Sequence, residues 1–299
     1  MEPTAAGPRV VALGGGHGLA ASLRAVRRYA SNVTAIVSVA DDGGSSGRLR
    51  EAFGIPAPGD VRRCLVALGD PESLWGRAFE YRFETGELEG HAFGNLVITG
   101  LAASTGDFTT ALTEAGRLVD AVGRVLPATA GPVVLKADVA GEEVVGQVRV
   151  QGACGPKSRV SLVPADAEPP ADAVAAILAA DQVILGPGSL YTSVLAVTAV
   201  PALRAALASR TGGRIYVCNL RPQEPETSGF DVAAHVRALR DHGVDVDMVI
   251  HDPSWMSTGT LDMPVIEAAV GRPHGLAHDS ERLAAVLRQL ADVDPNRLT

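Results

Sequence analysis

Five short runs of β-branched and aliphatic residues set the fold: Arg9–Leu13, Val33–Val39, Gln182–Leu185, Arg214–Cys218 and Asp247–Ile250. Each ends in a polar or glycine-rich segment, and four lead into stretches with apolar residues at helical spacing. Nearly continuous apolar strands alternating with helices predict a parallel sheet buried on both faces. In such a sheet the segments that follow the strands lie along one carboxyl edge, where open α/β sheets bind ligands. Strand, helix and second strand within the first 39 residues form a right-handed βαβ unit.

The expected architecture is therefore α/β and Rossmann-like, mostly parallel, with helices on both faces. Residues 1–8 read as a short disordered tail with no secretory pattern. Residues 9–295 read as one domain, with core segments 9–50 and 174–295 and an insertion at about 55–165. Within the insertion, Asp60–Leu68, Leu74–Phe83, Phe93–Ala103 and Asp107–Val119 are expected helices. Val133–Val139, Val144–Val150 and Val160–Val163 are expected strands of a small antiparallel patch. With 46% hydrophobic but only 4% aromatic residues, the core must be mainly aliphatic.

The net charge of −8 and the lack of a long basic run argue against a nucleic-acid partner. The longest apolar stretch, Leu190–Leu207, is interrupted by Thr198, Pro201 and Arg204, so no membrane span is expected. Cys64, Cys154 and Cys218 form no CxxC pair, which fits structural thiols in a reducing cytoplasm.

Three segments carry the chemistry. Gly14-Gly15-Gly16-His17-Gly18 follows the first strand, and Gly16–Ala21 fits the G-x-G-x-x-A form of the dinucleotide fingerprint. A phosphate can approach such a backbone and meet helix N-terminal N–H groups, although a tight turn needs glycine too. Asp41-Asp42-Gly43-Gly44-Ser45-Ser46 and Arg48 follow the second strand. The two carboxylates suit Mg²⁺ bridging phosphates, with Asp42 the candidate ligand, or ribose hydroxyls, or an Asx turn. Ser45, Ser46 and Arg48 suit phosphate oxygens, with helix capping as the competing role of Ser46. Gly188, Ser189 and Tyr191 repeat the glycine-then-helix arrangement, Tyr191 either stacking on a base or packing. Asp60 is expected as a helix N-cap, Arg62 as a phosphate contact or a solvated face, and Asn95 as a cap or a ligand contact. No Ser–His–Asp arrangement, P-loop or thiol nucleophile motif is present.

Taken together, LGGGHG, TAIVSVADDGGSSGRLR, PGDVRRCLVALGD, GHAFGNL, LGPGSLYTSVLAV and YVCNL resemble the gluconeogenesis factor (YvcK-like) family, within the CofD-like phospho-lactate transferase superfamily. The likeness runs from about Val10 to the last helix. It implies a site that includes Gly15, Gly16, Asp41, Asp42, Asp60, Asn95, Gly188, Ser189 and Asn219. It also implies a cytoplasmic regulator, more binding protein than enzyme, that holds UDP-N-acetylglucosamine or another nucleotide diphosphate, with Mg²⁺ as a candidate cofactor. Gluconeogenic growth, cell-wall precursor supply and cell shape are the processes implied, with a homo-oligomer and a protein partner in cell-wall regulation as further expectations. The alternative is a Mg²⁺-dependent CofD-type transferase of a phosphorylated small acid, and a third reading is an NAD(P)-binding oxidoreductase. The chain departs from the family pattern at Arg63 and in the run Gln223-Glu224-Pro225-Glu226-Thr227.

Overall fold

The computed structural model describes residues 7–291. Residues 1–6 of the expected tail, and 292–295 of the expected domain, lie outside the described residues. Pro8 is no part of a loose tail, because its carbonyl accepts a hydrogen bond from Ser31 N at 3.0 Å.

In chain order the strands are β1 (Arg9–Gly14), β2 (Asn32–Val37), β3 (Arg124–Pro127), β4 (Val134–Val139), β5 (Glu142–Val145), β6 (Lys157–Val163), β7 (Gln182–Leu185), β8 (Arg214–Val217), β9 (Met248–His251) and β10 (Val265–Glu267). Seven of them form a parallel sheet in the order β10-β9-β8-β7-β1-β2-β3. The other three form an antiparallel sheet in the order β5-β4-β6. All five expected core strands are present. The sheet gains two short edge strands, β3 and β10, that no long apolar run marks. Because β3 pairs with β2, the stretch 55–165 returns to the main sheet once and is not a single excursion.

The order of the sheet matters for function. From β1 the chain builds outward through β2 and β3, then comes back to place β7 on the other side of β1 and builds outward again. The strand order thus reverses between β1 and β7, whose register pairs Leu13 with Leu185. At such a reversal the chain leaves adjacent strands in opposite directions and opens a crevice at their carboxyl ends.

The helices follow their apolar spacing. Gly16–Val26 buries Leu19, Leu23 and Val26, and Pro58–Leu68 buries Val61, Leu65 and Leu68. Asp107 and Asp231 each cap a helix through a side-chain oxygen, at Thr110 N and Ala234 N. One expectation fails in kind: of the predicted strand Val144–Val150, only the part to Val145 is a strand, and Gln147–Gly152 is a helix. Among the described residues no single helix is long and apolar enough to cross a membrane. The apolar stretch from Leu190 forms two segments that meet at 80° before Pro201.

At the reversal the two glycine turns touch. A Cβ on Gly18 would lie 2.5 Å from the Pro187 carbonyl oxygen, and Ser22 Oγ donates to Gly186 O at 2.8 Å. We expect Gly18→Ala to push these turns apart and lower the melting temperature by several degrees, since backbone faces backbone there and neither side can yield. Thermal unfolding followed by circular dichroism measures this; an unchanged melting point would contradict the contact.

Candidate functional site

The crevice at the β1/β7 reversal is a cavity of about 680 Å³. Gly15–Gly18 and Pro187–Ser189 line its floor, and Ser38, Asp41, Asp60 and Arg63 line one wall. Asn219–Gln223 and Gly275–His278 form the other wall, and the helix Gln147–Gly152 reaches in from the small sheet with Gln147, Val148 and Gln151.

Local backbone chemistry explains the floor. Gly16 has φ +63°, a left-handed conformation that side chains disfavour, and the helix that follows starts with no side-chain cap. The first N–H groups of that helix have no acceptor within it. Asp60 accepts from Gly16 N–H, and His17 and Gly18, the next residues of the helix, line the cavity. Gly15 is required by crowding, since a Cβ there would lie 2.6 Å from Asp60 Oδ2. The second turn is held by Asn219, which accepts from Gly188 N and donates to Gly188 O, both at 2.9 Å.

The second turn does not repeat the first. The amides of Tyr191 and Thr192 both donate to Glu226 Oε1, at 3.2 and 2.9 Å. A buried carboxylate of the chain therefore fills the place that an anion would take at this helix start. Burial raises the pKa of Glu226, and these amides oppose the rise.

The cavity's charges are nearly balanced. Asp60 Oδ1 accepts from Arg63 at 2.7 Å, so this acid and this base offset each other. Burial raises the pKa of Asp60, Arg63 opposes that, and neighbouring Asp41 adds to it. Burial and the Arg63 charge lower the pKa of His17. Burial lowers His278 to about 4, its Nε2 lying 3.2 Å from Cys218 O. Both rings are consequently neutral near pH 7.

Of the residues expected at the site, Gly15, Gly16, His17, Gly18, Asp41, Asp60, Gly188, Ser189 and Asn219 line this cavity, with Gly14 behind its floor. The others do not. Asp42 is corrected from metal ligand to remote helix cap: its two oxygens accept from Gln147 N and Val148 N, both at 2.9 Å. Gly43 and Gly44 form the N-cap and first residue of the helix Gly44–Phe53, which also contains Ser45 and Ser46. Asp60 is not an N-cap, because the helix already begins at Pro58.

Arg62 and Asn95 lie off this cavity and are joined to each other. Arg62 Nε donates to Asn95 Oδ1, Asn95 Nδ2 to Ser45 Oγ, and Ser45 Oγ meets His91 Nδ1, each at 3.0 Å. Arg62 also pairs with Glu80 at 2.7 Å. This chain of buried groups fastens three helices together. Ser46 packs against Gly59, whose Cβ would collide with its hydroxyl. Arg48 donates to Glu89 O at 2.9 Å and lies in a separate shallow recess with Asp42 and Gly44. Tyr191 takes the packing role of its two expected ones: it is buried, edge-on against Phe230 and His242, and is not among the residues that line the cavity. Cys154 is exposed, unlike the buried Cys64 and Cys218.

Arg63, Arg221, Gln223, Leu276 and His278 also line the cavity and were not expected there. A helical phase count could have found Arg63, which is one turn from Asp60 (i, i+3). The other four sit in loops, where no periodicity marks them.

A family model described as 2-phospho-L-lactate transferase CofD matches residues 10–289. The gluconeogenesis factor of Halalkalibacterium halodurans is 42% identical over 247 residues, 81% of this chain and 77% of that protein. The gluconeogenesis factor of Bacillus subtilis is 41% identical over 237 residues, 79% of this chain and 75% of that protein. A putative gluconeogenesis factor of Nostoc sp. is 46% identical over 78% of this chain, which spans only 52% of that relative's length. A crystal structure of a UPF0052 family protein from Bacillus halodurans superposes with a TM-score of 0.89 at 34% identity, covering 95% of this chain and 99% of the other.

Two outcomes test this placement. Asp42→Asn should lower the melting temperature and increase protease cutting around Gln147–Gly152, since an amide oxygen replaces only part of the two-amide clamp. His278 titrates at about 4 in the folded chain, against its ordinary value of 6.5. The unfolded chain then binds more protons between about pH 6.5 and 4, so stability falls as pH drops through that window. The loss is at most roughly 3 kcal/mol. Denaturant titrations at several pH values should show that slope, and His278→Asn should flatten it.

Proposed function

The chain belongs to the CofD family, with the gluconeogenesis factors among its relatives, and from that premise we propose that it binds a nucleotide diphosphate sugar of the UDP-N-acetylglucosamine type in the β1/β7 crevice. On this reading it is a cytoplasmic regulatory binding protein that ties gluconeogenic growth to cell-wall precursor supply and cell shape. The observation that carries the reading is the glycine turn at the start of the helix Gly16–Val26, which opens on a cavity at the reversal of strand order. Backbone N–H groups at a positive helix end suit a diphosphate, and the glycines let it approach closely. The volume of about 680 Å³ suits a ligand of nucleotide-sugar size.

Asp41 is the carboxylate that would hold a Mg²⁺ accompanying the phosphates, since it lines the cavity, whereas Asp60 is paired with Arg63 and both oxygens of Asp42 are taken by amides. Such a cation needs only one or two carboxylates besides phosphate and water. Binding without rapid turnover is supported by the state of the candidate catalytic groups. Asp60 is paired with Arg63, and the Ser45–His91 contact lies off the cavity. The Cys64 and Cys218 thiols are pushed up by burial, Cys218 to about 12. The second reading, a Mg²⁺-dependent transferase of a phosphorylated small acid, is favoured by the description of the matching family model.

Calorimetric titration with UDP-N-acetylglucosamine, GDP and NAD, each with and without Mg²⁺, tests these readings. The nucleotide sugar should bind and raise the melting temperature, and NAD should not. Asp41→Asn should weaken binding about ten- to hundredfold, the scale of a lost charge-assisted contact. Incubation with Mg²⁺ should release no UDP or UMP above background. Release that disappears in Asp60→Asn would favour the transferase; no binding of any nucleotide at millimolar concentration would defeat both.

A further inference from the structure

Two arginines line the crevice, and they differ in kind. Arg63 is spent on Asp60. Arg221 pairs with no carboxylate among the described residues; it donates to the His274 carbonyl at 2.9 Å and lies over the Trp255 ring, 4.4 Å from its centroid. With His17 and His278 held neutral, Arg221 is the cavity's uncompensated positive side chain among the described residues.

Its position is built rather than incidental. Gly275 is buried with φ +63°, and a Cβ there would run into the Trp255 ring. Gly271 approaches the same ring, where a Cβ would lie 2.7 Å from Trp255 Nε1. Asp252 ties these loops together by accepting from Gly271 N at 2.8 Å and Ser254 N at 3.0 Å. Two glycines and a buried carboxylate thus fix an indole, and the indole fixes a guanidinium at the cavity wall. An arginine held this way loses little freedom on binding and keeps most of its N–H fork for an anion.

The floor, by contrast, supplies backbone dipoles and uncharged side chains, and Glu226 already occupies the second helix start. A diphosphate carries more charge than one helix terminus neutralises. We propose that Arg221, positioned by Trp255, is the anion-specificity residue of this site, pairing with a phosphate of the bound nucleotide and making the cavity select phosphorylated ligands over the nucleoside. This assignment rests on the nucleotide-sugar reading above.

The test titrates UDP-N-acetylglucosamine, UDP and uridine into the parent chain, Arg221→Met, Arg221→Lys and Trp255→Leu, at two salt concentrations, with melting curves to confirm folding. In Arg221→Met, affinity for UDP and the UDP sugar should fall at least about tenfold, with a shallower salt dependence and unchanged uridine binding. Arg221→Lys should recover the salt dependence but only part of the affinity, because it keeps the charge and loses the fork. Trp255→Leu should weaken the phosphorylated ligands alone. If the parent binds and Arg221→Met binds UDP equally well, the assignment is wrong and the nucleotide reading stands. If the parent binds none of the three, the nucleotide reading fails and the assignment falls with it.

Discussion

Everything at the carboxyl edge depends on two backbone turns being able to touch. β1 and β7 are neighbours, and each leaves the sheet through glycines. Gly18 faces Pro187, and a Cβ on Gly188 would lie 3.2 Å from Gly15 O. A wider separation would break the Ser22–Gly186 hydrogen bond and withdraw the start of the helix Gly16–Val26 from the crevice. Asn219, just past β8, then locks the second turn by using both backbone groups of Gly188. The sheet order brings the turns together, and the lack of side chains lets them stay so.

The electrostatics follow from that geometry. Closing the turns buries Asp60 against Gly16 N–H, and an isolated buried carboxylate would be costly. Arg63 answers that cost from the next turn of the same helix. The same pairing removes one positive charge from ligand binding, so net attraction must come from the helix terminus and from loops outside the glycine turns. The crevice is therefore lined with polar groups yet nearly neutral, consistent with a chain whose overall charge of −8 offers no broad attraction for anions.

The sheet was legible because buried parallel strands are continuous apolar runs, and β1, β2, β7, β8 and β9 fall where those runs lie. β10, three residues long, is too short to show periodicity. β3 is short as well and begins with an exposed arginine. Valine-rich runs are no guide where a distant group decides. Val144–Val150 reads as one β-branched strand, but Asp42 caps its second half as a helix from more than a hundred residues away in sequence. Tertiary contact overrode local propensity there. The glycine turns and Asp41 were legible because backbone chemistry dictates residue type. Arg221 and His278 were not, because a loop's side-chain direction is set by what it packs against.

The segment Asp41–Arg48 shows why chemical density along a sequence does not equal density at a site. Its side chains radiate. Asp41 faces the cavity, Asp42 caps the helix of the small sheet, Ser45 joins the buried chain through Asn95 to Arg62, and Arg48 reaches the Glu89 carbonyl. Asp41 and Asp42 lie in the segment before the helix begins at Gly44, where successive side chains part to different sides, and Ser45 and Arg48 lie within the helix. The consequence is mechanical. A ligand held at Asp41 sits one residue from the cap that orients Gln147, Val148 and Gln151 over the same cavity, so occupancy at the sheet edge and the placement of the small sheet share one backbone segment. A dense polar motif can thus serve a site mostly by holding its surroundings in register.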